Sequence, residues 1–380
     1  MTPAALLLDC LRAIAADTAP ELAQDADPGW IAFIRLALQH QVCGLAATAL
    51  ARLPPGRVPP PITALLQAHA REILAHRAVS LAELTRLLAA LEDAAIPAMP
   101  IKGPALHQRV FADIPAGPSR DLDILIRRAD AEAATSVLRA CGYTGDEDLS
   151  ARQTHALGAF RGQTILRRDD GCFLVEPHWS YTPATLGVRI DTDAVWARAR
   201  VAAGLRLMAP EDEAALLVIH GGKEEWTKLK WLADLAAFIR ATPEIDWPAV
   251  QTAARRGRYD RMLRLAAILL DRVCAIRIPT AKPDAALTSL AGTIIARWHA
   301  EAGAAEPEAA TISRLSPTRL ALCDGPAARA RYILRTITTP RAAHYRIVRL
   351  PDRLTFLYIP LKLAHDYAAL PLWRRLRRAG

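Results

Sequence analysis

Hydrophobic positions along the chain follow two different periods, and the change between them divides it. From Trp30 to Leu50 and from Ile62 to Ala95, apolar residues recur every three to four positions, the spacing of helices that bury one face. The second stretch is long enough for one helix or two in succession. Between them, Pro54-Pro55-Gly56-Arg57-Val58-Pro59-Pro60-Pro61 is too rich in proline for any regular element. After Ala95 the pattern shortens. Ile96–Ile101 is a brief apolar run broken by prolines and predicts a strand, and Pro104–Val110 predicts a helix with proline in its first turn. Asp121–Ile126 reads as a strand, Ala129–Ala140 as a helix, and Gly142-Tyr143 opens another extended piece. Gly162–Leu166 and Cys172–Glu176 flank Asp169-Asp170-Gly171, and Asp-Gly between two strand-like runs marks a hairpin.

From Pro210 the helical period returns. Glu211–His220 should be stopped by Gly221-Gly222, and further helices are expected over Trp226–Arg240, Pro248–Arg256, Arg261–Ile276 and Leu287–Glu301. Gly303–Pro317 has the composition of a linker, and Asp352–Arg378 mixes aromatic with basic residues. The pattern therefore implies an α+β protein: a small mixed-sheet core over residues 96–200, an N-terminal helical region over 1–95, a helical domain over 201–302, and a linker with a basic helical segment over 303–380.

One strand does not fit a purely structural reading. Side chains alternate across a strand, so Asp121 and Asp123 share one face while Leu122, Ile124 and Ile126 take the other. Carboxylates held side by side next to an apolar core repel each other unless something positive pairs them. A Mg²⁺ or Mn²⁺ ion carrying the phosphates of a nucleoside triphosphate such as ATP would do so. Lys102-Gly103 supplies a cation and a turn that lets backbone amides approach phosphate. Glu176, alone at the end of a later apolar run, is the candidate third carboxylate. His178 is a candidate for contacting the nucleotide or orienting Glu176. Asp121, Asp123 and Glu176 are thus the expected metal-binding and catalytic set, with Lys102, Gly103 and His178 around the nucleotide.

This arrangement resembles the nucleotidyltransferase superfamily related to DNA polymerase beta. More narrowly it is similar to a bacterial family of uncharacterised nucleotidyltransferases met in gene neighbourhoods for peptide natural products and polysaccharides. The likeness runs through Lys102-Gly103, Asp121-Leu122-Asp123-Ile124-Leu125-Ile126, Gly142-Tyr143 and Glu176-Pro177-His178-Trp179, then Pro210-Glu211-Asp212, His220 and Trp231–Leu235. It implies transfer of a nucleoside monophosphate to a hydroxyl or phosphate on a peptide, sugar phosphate or protein side chain, with release of pyrophosphate. Three departures stand out. The superfamily's Gly-Ser turn is Lys-Gly-Pro here, Arg120 adjoins the first aspartate and so points to the opposite face, and Pro177 implies an edge strand or a strand end. Between His220 and Asp234 a helix-to-helix hydrogen bond is expected.

Composition narrows the setting. A chain of 380 residues, 52% of them hydrophobic, has material for more than one core. Its six cysteines are scattered without paired spacing, which argues against a disulfide framework or a zinc knuckle. With no signal-peptide pattern and no apolar run long enough to span a bilayer, a cytoplasmic protein is expected. The net charge of +9 favours anionic partners, although the preference for arginine over lysine is also what genomic composition bias produces. Nucleic acid is not the partner expected. Two alternatives use the charge differently: a non-catalytic nucleotide- or RNA-binding protein on the same fold, and a membrane-surface adaptor. The adaptor would use Tyr367, Leu372, Trp373, Leu376 and Arg374–Arg378.

Overall fold

The computed structural model describes the chain except for residues 24–26, 120, 146–148, 203, 281, 283, 301–314 and 370–380. Arg120, most of the linker expected over Gly303–Pro317, and the basic run Arg374–Arg378 lie outside the described residues.

Five short strands form the core sheet: β1 (Ala98–Pro100), β2 (Asp121–Ile126), β3 (Tyr143–Thr144), β4 (Leu166–Arg168) and β5 (Leu174–His178). Their order across the sheet is β1-β2-β5-β4-β3. Only β2 and β5 run parallel, and the other neighbours are antiparallel, so the sheet is mixed. The β4–β5 hairpin turns at the Asp-Gly signal. Pro177 is the penultimate residue of β5, which lies inside the sheet, so its proline marks a strand end and not an edge.

One face of the sheet is a conventional core. Leu122, Ile124, Ile126, Leu166 and Val175 pack with Leu84, Leu87 and Leu91 of the helix Pro60–Asp93 and with Ala134 and Leu138 of the helix Ala131–Ala140. Each of these Leu and Ile side chains is essentially fully buried and contributes about 1.5–3 kcal/mol relative to exposure. The other face meets helices. Met99, Ile101 and Leu125 join a larger core shared with the helices Pro3–Ala16, Gly103–Phe111, Pro210–Lys223 and Leu229–Ala241. The acidic face of β2 is therefore covered by helices from both halves of the chain.

Several boundaries differ from the expectation for identifiable reasons. The stretch expected over Ile62–Ala95 is a single 34-residue helix, Pro60–Asp93, which takes Pro60 and Pro61 of the proline run into its first turn, where proline is well placed. Trp30–Leu50 is two helices, Trp30–Gln39 and Cys43–Leu50, separated by a turn in which Gln41 takes φ 57°. The helix from Pro210 does not stop at Gly221-Gly222 but runs through both to Lys223. The pair is a packing device. A Cβ on Gly221 would overlap the Trp226 ring, and one on Gly222 would press on Met262. A helix over Ala151–Arg161 and a two-stranded ribbon, β6 (Arg200–Ala202) with β7 (Leu205–Leu207), complete the middle of the chain.

All six cysteines are free, and Cys172 is exposed. Among the described residues no helix is long and apolar enough to cross a membrane.

Candidate active site

Register brings the acids together. In the parallel β2–β5 pair Asp123 stands beside Glu176, and Asp121 beside Leu174. Glu176, more than fifty residues further along the chain, thus presents its carboxylate on the same face as Asp121 and Asp123. Lys102 completes the group from the end of β1. It holds φ 48° and ψ −161°, a conformation rarely populated by a residue with a side chain, and Gly103 follows with φ 57°. This pair turns the chain from β1 into the helix Gly103–Phe111. A Cβ at Gly103 would lie 2.9 Å from Ser119 Oγ, so only glycine lets the turn approach the segment leading into β2.

Asp123 is the hub. It is 5% exposed, and its Oδ1 accepts from Lys102 Nζ at 2.6 Å and from His178 Nε2 at 2.8 Å. His178 Nε2 also lies 3.4 Å from Glu176 Oε2, which accepts from Gln163 Nε2 at 2.7 Å. Burial alone would raise the Asp123 carboxyl, but Lys102 and His178 outweigh it and hold the group well below the ordinary carboxylate range. Burial likewise opposes the charged forms of Lys102 and His178. Asp123 and Glu176 overcome it, and both cations titrate above their ordinary values. Asp121 moves the other way. Burial, then the charges of Glu176 and Asp123, push its pKa up, which is the signature of a carboxylate short of a positive partner.

A cleft of ≈ 280 Å³ opens on this face. One wall is Lys102, Gly103, Ser119, Asp121 and Asp123. The opposite wall comes from the helical region and carries Leu217, His220, Glu224, Lys228, Lys230 and Trp231. Lys230 Nζ donates to Pro118 O at 2.9 Å and so ties that wall to the loop before β2. Burial lowers the pKa of Lys230, Lys223 and His220, and the charge of Lys102 lowers it further. Cations crowded enough to disfavour one another make a place for an anion. The chain has only six lysines among its 48 basic residues, and four of them, Lys102, Lys223, Lys228 and Lys230, gather here.

The donor set suits a hard divalent cation. Carboxylate oxygens are the ligands Mg²⁺ prefers, and Asp121 is left with burial and repulsion that Lys102 and Lys230 only partly offset and that such an ion would relieve. Asp123, Glu176 and His178 each offer a ligand atom within 4.8 Å of the others. The His178 ring is buried and bonded to Asp123, so it stands behind the carboxylates and does not line the cleft.

Of the six residues singled out in the sequence, Lys102, Gly103, Asp121 and Asp123 line the cleft, while Glu176 and His178 adjoin Asp123 without lining it. Ser119, Gln163, Lys228 and Lys230 were not singled out, nor were His220 and Trp231 as cleft residues. The lysine count was the available signal for two of them. Ser119 brings a hydroxyl to the Lys-Gly turn from the neighbouring loop, where the turn itself has none. The His220–Asp234 hydrogen bond does not form. Asp234 instead pairs with His107 Nε2 at 3.0 Å, because the helix Gly103–Phe111 lies against Leu229–Ala241 and reaches it first. The His220 ring packs edge-on against Trp231, with centroids 5.8 Å apart.

A mixed sheet whose inner strands carry convergent carboxylates, beside a lysine-bearing turn at a helix start, defines a protein built on the α+β plan of nucleotidyltransferases. The comparison with family models agrees. Residues 26–275, more than half of the chain, match the model described as uncharacterised nucleotidyltransferase, and the chain belongs to that family. Searches of the curated proteins and of the solved structures each returned no match.

Proposed function

We propose that this protein transfers a nucleoside monophosphate from an NTP, with ATP as the first candidate, to a hydroxyl or phosphate acceptor and releases pyrophosphate. The observation that carries the reading is the placement of Glu176 beside Asp123, with Lys102 Nζ on the same carboxylate and Asp121 on the same face. A protein that only bound nucleotide would have little use for three converging acids. Asp121, Asp123 and Glu176 would hold Mg²⁺ or Mn²⁺, which when bound supplies charge neutralisation at the reacting phosphate.

The chain's own residues do the rest. Lys102 and Lys230 bind the triphosphate, and the free backbone amides opening the helix Gly103–Phe111 add to that binding. His178 is a positioning residue that keeps Asp123 ionised and Glu176 in place. The acceptor oxygen attacks the α-phosphorus, the bond from that phosphorus to the bridging oxygen breaks, and pyrophosphate leaves. In this reading Glu176, 16% exposed and anchored by Gln163, takes the acceptor proton. The helical wall would choose the acceptor, for which a peptide, a sugar phosphate or a protein side chain is the class in view.

The test is pyrophosphate release from each NTP with Mg²⁺ or Mn²⁺, in the presence of peptide, sugar-phosphate and protein acceptors. Release by the native chain and its loss in Asp121→Asn/Asp123→Asn would support the reading. Release no higher than that of the double variant, with every acceptor class, would sink it.

A further inference from the structure

The C-terminal helical segment is amphipathic the wrong way round. Residues 352–369 run through a 3₁₀ turn (Asp352–Leu357), an α-helix (Tyr358–Ala364) and a π-helical turn (His365–Ala369). The side it turns inward is polar. Tyr358 is fully buried, and its hydroxyl donates to Val348 O at 2.8 Å and accepts from Leu350 N at 2.9 Å. Lys362 is also fully buried and pairs with Asp366, which holds Arg341 as well at 2.6 Å. The side turned to solvent is apolar: Phe356, Ile359, Leu363 and Tyr367, spaced three to four residues apart, are 64%, 39%, 38% and 49% exposed. A soluble helix ordinarily does the reverse. The Tyr358 bonds hold the 348–350 loop against the inward side of this helix, where Ile347 and Val348 are exposed as well.

Arginines adjoin it. Arg349 and Arg353 are exposed and form no ion pair among the described residues. Asp352, the acid beside Arg353, is engaged by Ser150 Oγ at 2.7 Å. An aromatic and aliphatic stripe edged by unpaired arginines is the chemistry of an anionic lipid surface, in which apolar side chains enter the acyl boundary and guanidinium groups meet acidic headgroups. With no helix able to cross a membrane among the described residues, the contact would be peripheral. We infer that the face formed by residues 347–367 docks this protein onto an anionic bilayer, independently of the nucleotide site.

Co-sedimentation of the full chain with phosphatidylcholine vesicles, with and without phosphatidylserine, tests this. The native chain should sediment with the anionic vesicles and be released by salt. Arg349→Gln/Arg353→Gln should weaken partitioning by roughly twentyfold, about fivefold for each charge. Phe356→Ser/Leu363→Ser should weaken it by at least about tenfold. Both variants alter only exposed positions and should melt with the native chain. The inference is overturned if the native chain ignores anionic vesicles, or if both variants bind as well as it does. It is also overturned if removing residues 370–380 abolishes binding that the stripe variant keeps. Loss of a dimer in the stripe variant, without any vesicle binding by the native chain, would assign the face to a second copy instead.

Discussion

Replacing Lys102 with methionine keeps much of the side chain's bulk and removes the ammonium that holds Asp123. The two groups are 2.6 Å apart with side chains 14% and 4% exposed, so the change strands a buried carboxylate. Breaking a buried pair from one side costs about 3–5 kcal/mol. His178 still bonds the same Asp123 oxygen and Lys102 is not fully enclosed, which brings the expected loss to about 2–3 kcal/mol. The loss should depend on pH in a defined direction. The Asp123 carboxyl is depressed below 3.8 in the folded chain, so its contribution is present above that pH and fades as pH falls through the folded value. Without Lys102, burial carries more weight and moves the carboxyl up, so the variant protonates earlier and recovers. Lys102 itself is raised above 10.5, and its contribution persists until pH climbs through its folded value. Urea unfolding followed by circular dichroism should therefore show the full difference between pH 6 and pH 10 and a smaller one below about pH 4. Equal stability at pH 7, or a difference unchanged down to pH 3, would refute the pairing as the source of the effect.

Three further outcomes are expected. Glu176→Gln should preserve the fold and lower pyrophosphate release by at least about a hundredfold, whereas Gln163→Ala, which removes only its anchor, should cost about fivefold; comparable losses would contradict the division of roles. Gly221→Ala should destabilise the chain by about 1–3 kcal/mol in the same urea assay, since its methyl would overlap the Trp226 ring, and an unchanged midpoint would show that the ring can move aside. Burial pulls the His40 imidazole from 6.5 to about 4, so between those values the unfolded chain binds more protons than the folded one and stability falls as pH falls. The decline should reach roughly 3 kcal/mol by pH 4 and be absent from His40→Gln, and parallel pH profiles for the two would rule out this source.

What could be read from the sequence was local and periodic. The Asp121–Ile126 strand, its one-sided pair of acids and the Asp-Gly hairpin follow from alternation and turn chemistry, and each appears where the pattern put it. Periodicity could not supply register. That Glu176 falls beside Asp123, and not two residues away, depends on how β5 pairs with β2. Partner choice between helices was equally hidden, as the capture of Asp234 by His107 shows, because both histidines lay at helical positions able to reach it. Gly221-Gly222 read as a stop since glycine disfavours helix locally, and only the tertiary fit of Trp226 and Met262 overrides that. The helix Ala151–Arg161 had a local signal, the Ser150–Gln153 capping box, that periodicity alone passes over. The helical wall of the cleft was legible in one respect: in a chain that otherwise uses arginine, lysine at positions 223, 228 and 230 marks a cluster.

The most direct measurement of the acidic cluster's purpose is calorimetric titration of the native chain with a non-hydrolysable ATP analogue, with and without Mg²⁺, beside Asp121→Asn/Asp123→Asn. Binding should tighten by at least about tenfold when the metal is present, and the double variant should lose that gain while still folding. Binding of equal strength with and without metal, unaltered by the two substitutions, would contradict the assignment of Asp121 and Asp123 to a metal-bridged triphosphate.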